Sequence, residues 1–469
     1  MNGIGFFVLV MILLAINGAV GFWHTRRDNR TTQLIYRADP GVRGWLGIAL
    51  TLTGTVVGGG MFLAVGQIGF EAGLVGYLVG VIYLFGLALL ARFVRHIRKL
   101  MFDRKAHTLI ELVACNYSRP VAVQFAVINC LMYVFLLAGQ FVGMFVFAKY
   151  VAATIGVEWI PWVLVTVAAG MMLCYPVWGG LRKDVITDYF QVTIVGLVGG
   201  VLLIGLLQTG FFSEGIKNLP LSKLDGTGYG FVFLIGIVLF LGPLFLVRMD
   251  VWQRIWTAKS DRDAVIGLVL AGVLSLLFYV LFTSIGMAAF LKGSITAENA
   301  TLGWVFETFS DPWMLAFISG GFFFAVLSSA DTFINNASVF LSWVVSGGNW
   351  TKAENNQTLD KALVKKTRII ALVLTVSALG LAFLIPNFVD LFVGAFSLLL
   401  IFLPMIAGLL VEEWRSSAAA ISSGLSGVIV FLVLFFTWNP TQAFAPAVVL
   451  AIVIHAVVAR FSASRKVSA

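Results

Sequence analysis

The sequence predicts an all-α integral membrane protein of about thirteen transmembrane helices, and three observations carry that reading. Of its 469 residues, 60% are hydrophobic and 11% charged, with a mean hydropathy of +0.99. Soluble domains do not reach this balance. Apolar runs of about 20 residues recur from end to end, each long enough to cross the ~30 Å hydrocarbon core of a bilayer. Lys and Arg are sorted between alternate connections: twenty-six fall on one side of the spans and four on the other, with Arg248 inside a span. The net charge of +9 therefore reads as membrane orientation rather than nucleic-acid binding.

The elements follow in order, numbered from zero. Span 0 is 4–23. It has no preceding basic residue and no small-residue cleavage site, so it reads as a true span rather than a signal peptide. Spans 1 to 5 are 44–70, 73–91, 120–148, 159–178 and 185–209. Spans 6 to 10 are 229–257, 264–290, 313–346, 369–386 and 388–410. Spans 11 and 12 are 417–437 and 442–459. The basic loop 92–119 carries a short surface helix around Leu109–Cys115. The charge pattern puts the N-terminus outside and the C-terminus in the cytoplasm, in a bacterial inner membrane.

Two spans are interrupted. Span 1 contains Gly58-Gly59-Gly60, and three consecutive glycines weaken a helix. Span 6 contains Gly242-Pro243, where proline removes a donor and clashes with the preceding turn. The two lie five spans apart and run in opposite directions. Corresponding breaks in two antiparallel five-helix halves point to an inverted repeat with a binding site at the breaks. The organisation is then 1–43 as an extra helix and cytoplasmic linker, 44–209 as the first repeat, 229–410 as the second, and 411–469 as two peripheral helices and a tail. Alternatively the glycines only permit close helix packing.

Span 8 is apolar except for Ala325-Val326-Leu327-Ser328-Ser329-Ala330-Asp331-Thr332. Hydroxyls and a carboxylate in mid-membrane are costly unless something uses them, and a small hard cation such as Na⁺ or H⁺ is the natural user. Ser328, Asp331 and Thr332 share one helical face. Alternatively the serines bond back to the previous turn. Asp188 in span 5 is a second buried carboxylate. Asp188 and Asp331 repel one another unless a cation or proton sits between them, or either pairs with Arg182, Lys183 or Arg254. Arg248 suits a carboxylate solute; otherwise it pairs with Asp250 or Asp188, or snorkels. Phe62, Gln67 and Gln140 are further candidates for solute contact. Cys115, Cys130, Cys174 and the four histidines have no ligand spacing, so Na⁺ is expected and a transition metal is not.

Three stretches resemble the sodium:solute symporter family. Tyr175-Pro176-Val177-Trp178-Gly179-Gly180-Leu181 followed by Thr187-Asp188-Tyr189-Phe190-Gln191 is similar to its span 4–5 signature. Gln253-Arg254 followed by Ala258-Lys259-Ser260 is similar to a stretch at the end of its span 6, and Leu327–Ser338 to its span 8 segment. The resemblance implies a LeuT-like fold of five plus five inverted helices with discontinuous first and sixth members. It implies a sodium site made by the carbonyls of Val56, Gly59 and Ala325 and the hydroxyls of Ser328 and Ser329. In some members a second ion site occupies the positions of Asp188, Ser328, Asp331 and Thr332. Many relatives have a hydroxyl at one of these places, whereas this chain has Asp331. Arg248 falls where sugar-transporting relatives have a polar solute contact.

The expectation is a Na⁺-coupled symporter of a small polar solute, with a lean toward a carboxylate-bearing organic anion or amino acid. The alternatives are proton coupling on the same fold and a non-transporting solute sensor. The expected partners are the solute, Na⁺ and the bilayer, with no cofactor and a monomer or weak homodimer. No nucleophile–base pair or phosphate-cradling loop points to an enzyme.

Overall fold

The computed structural model describes residues 3–25, 41–178, 180–347, 357–385 and 387–467. The sequence-based assignments at 26–40, Gly179 and 348–356 lie outside these residues, as do the side chains of 173–186, which include Cys174, Arg182 and Lys183. The described chain is helical, apart from an isolated bridge between Arg43 and Ala258. Its helices are α1 (Gly3–Thr25), α2 (Trp45–Val56), α3 (Met61–Ala72), α4 (Val75–Asp103), α5 (Leu109–Asn116), α6 (Arg119–Ile155), α7 (Trp159–Trp178) and α8 (Gly180–Gln208). Then come α9 (Phe231–Leu241), α10 (Leu244–Val247), α11 (Met249–Thr257), α12 (Asp261–Lys292), α13 (Ala300–Thr308) and α14 (Pro312–Val345). The last are α15 (Gln357–Leu384), α16 (Phe388–Leu400), α17 (Leu403–Leu410), α18 (Ser417–Thr437) and α19 (Phe444–Val467).

Nine of the described helices are long and apolar enough to cross a membrane, or ten when the bent pair α2–α3 counts as one span. The chain is a multi-pass membrane protein. Local sequence sets the helix ends. Thr108 and Glu111 form a reciprocal capping box on α5. Ser260, Asp311 and Ser416 accept from backbone N–H groups at the starts of α12, α14 and α18. Gly156 and Gly293 end α6 and α12 in the left-handed conformation that glycine adopts freely.

The central helix is α14. Between Ala316 and Trp343 nearly every side chain is buried, because α14 packs on α1, α2, α6, α8 and α15. The other organising element is α12, laid against α2, α3 and α4. There α3 and α12 touch backbone to backbone. A Cβ on Gly286 would lie 2.0 Å from the Gly66 carbonyl oxygen, and one on Gly69 would lie 2.3 Å from the Thr283 carbonyl oxygen. Small residues allow such approaches, and tight packing is what drives helices together in lipid. Gly286→Val is expected to destabilise the protein by about 1–3 kcal/mol or more, read as a lower melting temperature and lower monodisperse yield in detergent. An unchanged melting temperature would show that this contact yields.

Both interrupted spans are broken at the marked places, and span 6 opens a second time further on. The α2–α3 pair bends by 65°. The chain leaves helical geometry at Val57 (ψ 63°), whereas Gly60 is already helical. In span 6, Gly242 and Pro243 keep near-helical angles beside a π-turn over Ile237–Leu241. The open residue is Arg248, extended at φ −81° and ψ 114°. Span 10 also breaks, between Leu400 and Leu403, where Pro404 is in the first turn of α17. The short helix α13 falls in a loop for which the sequence reading assigned no element.

Candidate functional site

The interrupted α2–α3 pair and the hydroxyls of α14 come together. A Cβ on Gly58 would fall 2.2 Å from the Ser329 hydroxyl oxygen and 3.6 Å from the Ala325 carbonyl oxygen. Only glycine lets α14 approach this closely. Ser329 donates to the carbonyls of Gly54 (3.1 Å) and Thr55 (3.2 Å). Ser328 donates to Asp188 Oδ1 at 2.6 Å, which ties α14 to α8. Gly54 faces the same pair, 2.6 Å from Ser328 Oγ and 3.8 Å from Asp188 Oδ1 when measured from a Cβ position. The hydroxyls of both serines therefore bond to neighbouring helices.

One turn further along α14, the Thr332 hydroxyl lies 3.4 Å from that of Thr55. Arg254 on α11 donates to Thr55 (3.0 Å), to Thr332 (3.4 Å) and to the Asp250 carbonyl (3.1 Å). Asp188, Asp331, Ser328 and Thr332 are all buried. Oxygens from α2, α8 and α14 thus converge beside the unwound residue, with two carboxylates and one guanidinium in the same neighbourhood. Oxygen-rich sites beside unwound backbone suit hard cations. Val56 and Gly59 flank the break. Gly59 packs on Val326, and the Gln140 side-chain oxygen is 3.0 Å from its Cβ position.

A cavity of about 110 Å³ opens next to this cluster, against the ~10–15 Å³ that one water needs. Thr55 and Val56 form one end of its wall, and Met61, Ala64 and Ile68 of α3 continue it. The rest is largely aromatic, from Tyr83, Phe233, Tyr279, Phe333, Phe392 and Phe396, together with Arg248. Of the predicted solute contacts, Arg248 lines the cavity, whereas Phe62, Gln67 and Gln140 are not in its wall. Phe62 packs on Phe282 (centroids 4.4 Å apart) and Phe322 (5.9 Å). Its carbonyl accepts from Thr301. Gln67 donates to Glu71 at 2.9 Å, toward the far end of α3. Gln140 is buried behind Gly59.

Arg248 is not a free cation. Its Nε and Nη2 donate to the two oxygens of Asp250 at 3.0 and 2.6 Å, and both residues are buried. The pairing with Asp250 that the sequence allowed is the one adopted. Sequence reasoning missed Thr55 and the hydroxyl contacts of Arg254. The available signals were the position of Thr55 beside the glycine run and Arg254's place in the Gln253-Arg254 stretch.

No known family profile matches the chain. A curated relative, the spermidine transporter DUR31 of Candida albicans, is 23% identical over 358 residues. That match covers 74% of this chain and 64% of the relative, so the chain spans less than two thirds of that protein. Among solved structures, a Na⁺-coupled sialic acid symporter, substrate-bound and outward-open, superposes with a TM-score of 0.79 at 14% identity and 97% coverage of both chains. Mhp1, a nucleobase-cation-symport-1 family transporter closed around bromovinylhydantoin, gives 0.58 at 13% identity, covering 92% of this chain and 95% of Mhp1. MhsT in complex with L-phenylalanine gives 0.54 at 15% identity, covering 91% of this chain and 100% of MhsT. These similar proteins are transporters rather than enzymes, and the chain has their fold, as its resemblance to the sodium:solute symporters implied.

Proposed function

We propose that the chain is a Na⁺-coupled symporter that moves a small polar solute by alternating access. The observation that carries this reading is the contact of Ser328 and Ser329 with Asp188 and with the carbonyls at the α2 break. Na⁺ takes the oxygens of Val56, Gly59, Ala325, Ser328 and Ser329. Bound there, it bridges α14 to the broken α2–α3 pair and favours the state in which they are close. Opening toward the cytoplasm separates them and releases the ion. A second ion site at Asp188, Ser328, Asp331 and Thr332 shares Ser328 with the first, so the two occupancies are coupled. The full topology is thirteen spans, ten of them in two inverted five-helix repeats, 44–209 and 229–410, in a bacterial inner membrane with the N-terminus outside. Ten candidate spans among the described residues, with the shorter apolar helices Phe7–Ala19, Trp162–Met172 and Phe231–Leu241, support that count, and the breaks near Val57 and Arg248 support the repeat.

Solute identity depends on Arg248. The lean toward carboxylates rested on it, yet a carboxylate must first displace Asp250 from both donors. Spermidine, the solute named for the curated relative, is a polyamine and lends the carboxylate lean no support.

Proton coupling is the second reading, favoured by two buried carboxylates in one neighbourhood. Purified protein in proteoliposomes separates the two. Under an imposed Na⁺ gradient solute is expected to accumulate, and under a pH gradient alone it is not. Accumulation driven by pH without Na⁺ would replace the first reading with the second.

A further inference from the structure

We propose that the transported solute is an organic cation bearing an ammonium group, admitted past an acidic rim formed by Glu71, Tyr229 and Asp390 and held in the aromatic cavity. This rests on the chain being a symporter, and it names the charge of what that symporter carries.

The cavity wall comes first. Six aromatic rings line it, Tyr83 and Tyr279 among them. Aromatic faces attract cations by about 0.5–2 kcal/mol each, most strongly where water is excluded. The one guanidinium in the wall is neutralised by its two-point bond to Asp250. The wall therefore offers an anion no unengaged positive group, whereas an ammonium meets π-faces.

The rim comes second. Glu71 follows the lining residue Ile68 by three positions on α3, so it projects from the same side one turn further out. Tyr229 lies two residues before the helix that carries Phe233, and Asp390 is in the first turn of the helix that carries Phe392 and Phe396. The Glu71 carboxylate accepts from Gln67 (2.9 Å) and from Tyr229 (2.5 Å), both neutral donors that leave its charge intact. Asp390 interacts electrostatically with both Glu71 and Tyr229, which places its carboxylate at the same rim. Among the described residues neither Glu71 nor Asp390 is in a salt bridge. Lys223 is a neighbouring cation. Its ammonium donates to the Glu71 backbone carbonyl at 2.6 Å and lies 4.5 Å from the centre of the Phe290 ring. A carbonyl and an aromatic face already hold one ammonium at this mouth.

The third observation is the surrounding surface. The helix ends and loops on the Glu71 side carry eight Asp and Glu against four Lys and no Arg. A chain of net charge +9 thus presents a negative face at its mouth. Such a field concentrates cations there and speeds their entry, and it repels carboxylates.

The test uses the full-length protein with 1,4-diaminobutane and choline as probes, and lactate and glucose as comparators. In NaCl the amines are expected to raise the melting temperature, and labelled amine is expected to accumulate in proteoliposomes under an inward Na⁺ gradient. The double variant Glu71→Gln/Asp390→Asn is expected to raise the half-saturating amine concentration about tenfold, with the stabilisation by Na⁺ alone unchanged. Asp390→Asn alone leaves the Tyr229–Glu71 bond in place and serves if the double variant folds poorly; a several-fold rise is expected. Accumulation of lactate or glucose but neither amine, or an unchanged half-saturating concentration in a folded variant, overturns the cationic class and leaves the symporter standing. Absence of any Na⁺ stabilisation together with absence of uptake of all four probes overturns both.

Discussion

Asp250→Ala is expected to lower the stability of the folded protein by roughly 3–5 kcal/mol, the cost of leaving one partner of a buried ion pair uncompensated. Asp250 and Arg248 are both buried, with two hydrogen bonds between them. The variant strands a guanidinium against Phe245, Tyr83 and Tyr133, beside a cavity whose wall supplies no second carboxylate. The expected readout is a large drop in melting temperature in detergent and a fall in the yield of monodisperse protein. Adding Arg248→Met to Asp250→Ala is expected to recover much of the loss, because replacing both charges by apolar groups removes the penalty. A double variant as unstable as the single one would show that the pair is not the source. The pair also fixes the break. Residues two apart on a continuous helix point to different sides, so the two-point bond between 248 and 250 requires the extended backbone seen at Arg248.

That geometry explains what the sequence disclosed and what it withheld. Glycines 58–60 and Gly242-Pro243 announced two weak places, because low helix propensity is a local property. Where each helix opens is decided by distant partners. Ser329 fastens to the Gly54 and Thr55 carbonyls, and the chain unwinds just beyond them at Val57. Asp250 captures Arg248, and span 6 opens there as well as at Gly242-Pro243. The hydroxyls of span 8 were legible because oxygen atoms are conspicuous in an apolar run. Thr55 and Arg254 were not, since their bond joins residues 199 positions apart and neither stands out locally. Phe62 followed the break and looked like a solute contact. The tilt of α3 turns its ring instead toward Phe282 and Phe322. The apolar character of the spans is legible in sequence because the bilayer core imposes it on every spanning residue; side-chain direction beside an unwound segment is not.

The second large effect is expected at Ser328 and Ser329. Ser328→Ala/Ser329→Ala removes two hydroxyl oxygens from the proposed sodium site. Hydrogen bonds and ligand contacts to charged groups are worth about 1.5–3 kcal/mol each, so the half-activating Na⁺ concentration is expected to rise at least about 100-fold. Maximal uptake at ordinary Na⁺ then falls to near background. The substitutions also remove bonds to Asp188 and to the Gly54 and Thr55 carbonyls, so a modest fall in melting temperature carries no information about the ion. The informative measurement is the Na⁺ concentration dependence of stabilisation and of uptake. Ser329→Thr provides the contrast: it keeps a hydroxyl at the same carbon, and its Na⁺ dependence is expected to remain within a few-fold of the parent. A folded double alanine variant with unchanged Na⁺ dependence would move the ion away from α14. It would leave Asp188, Asp331 and Arg254 as a charge cluster without a sodium ligand set, and the energy for uphill transport would have to enter through protonation of those carboxylates instead.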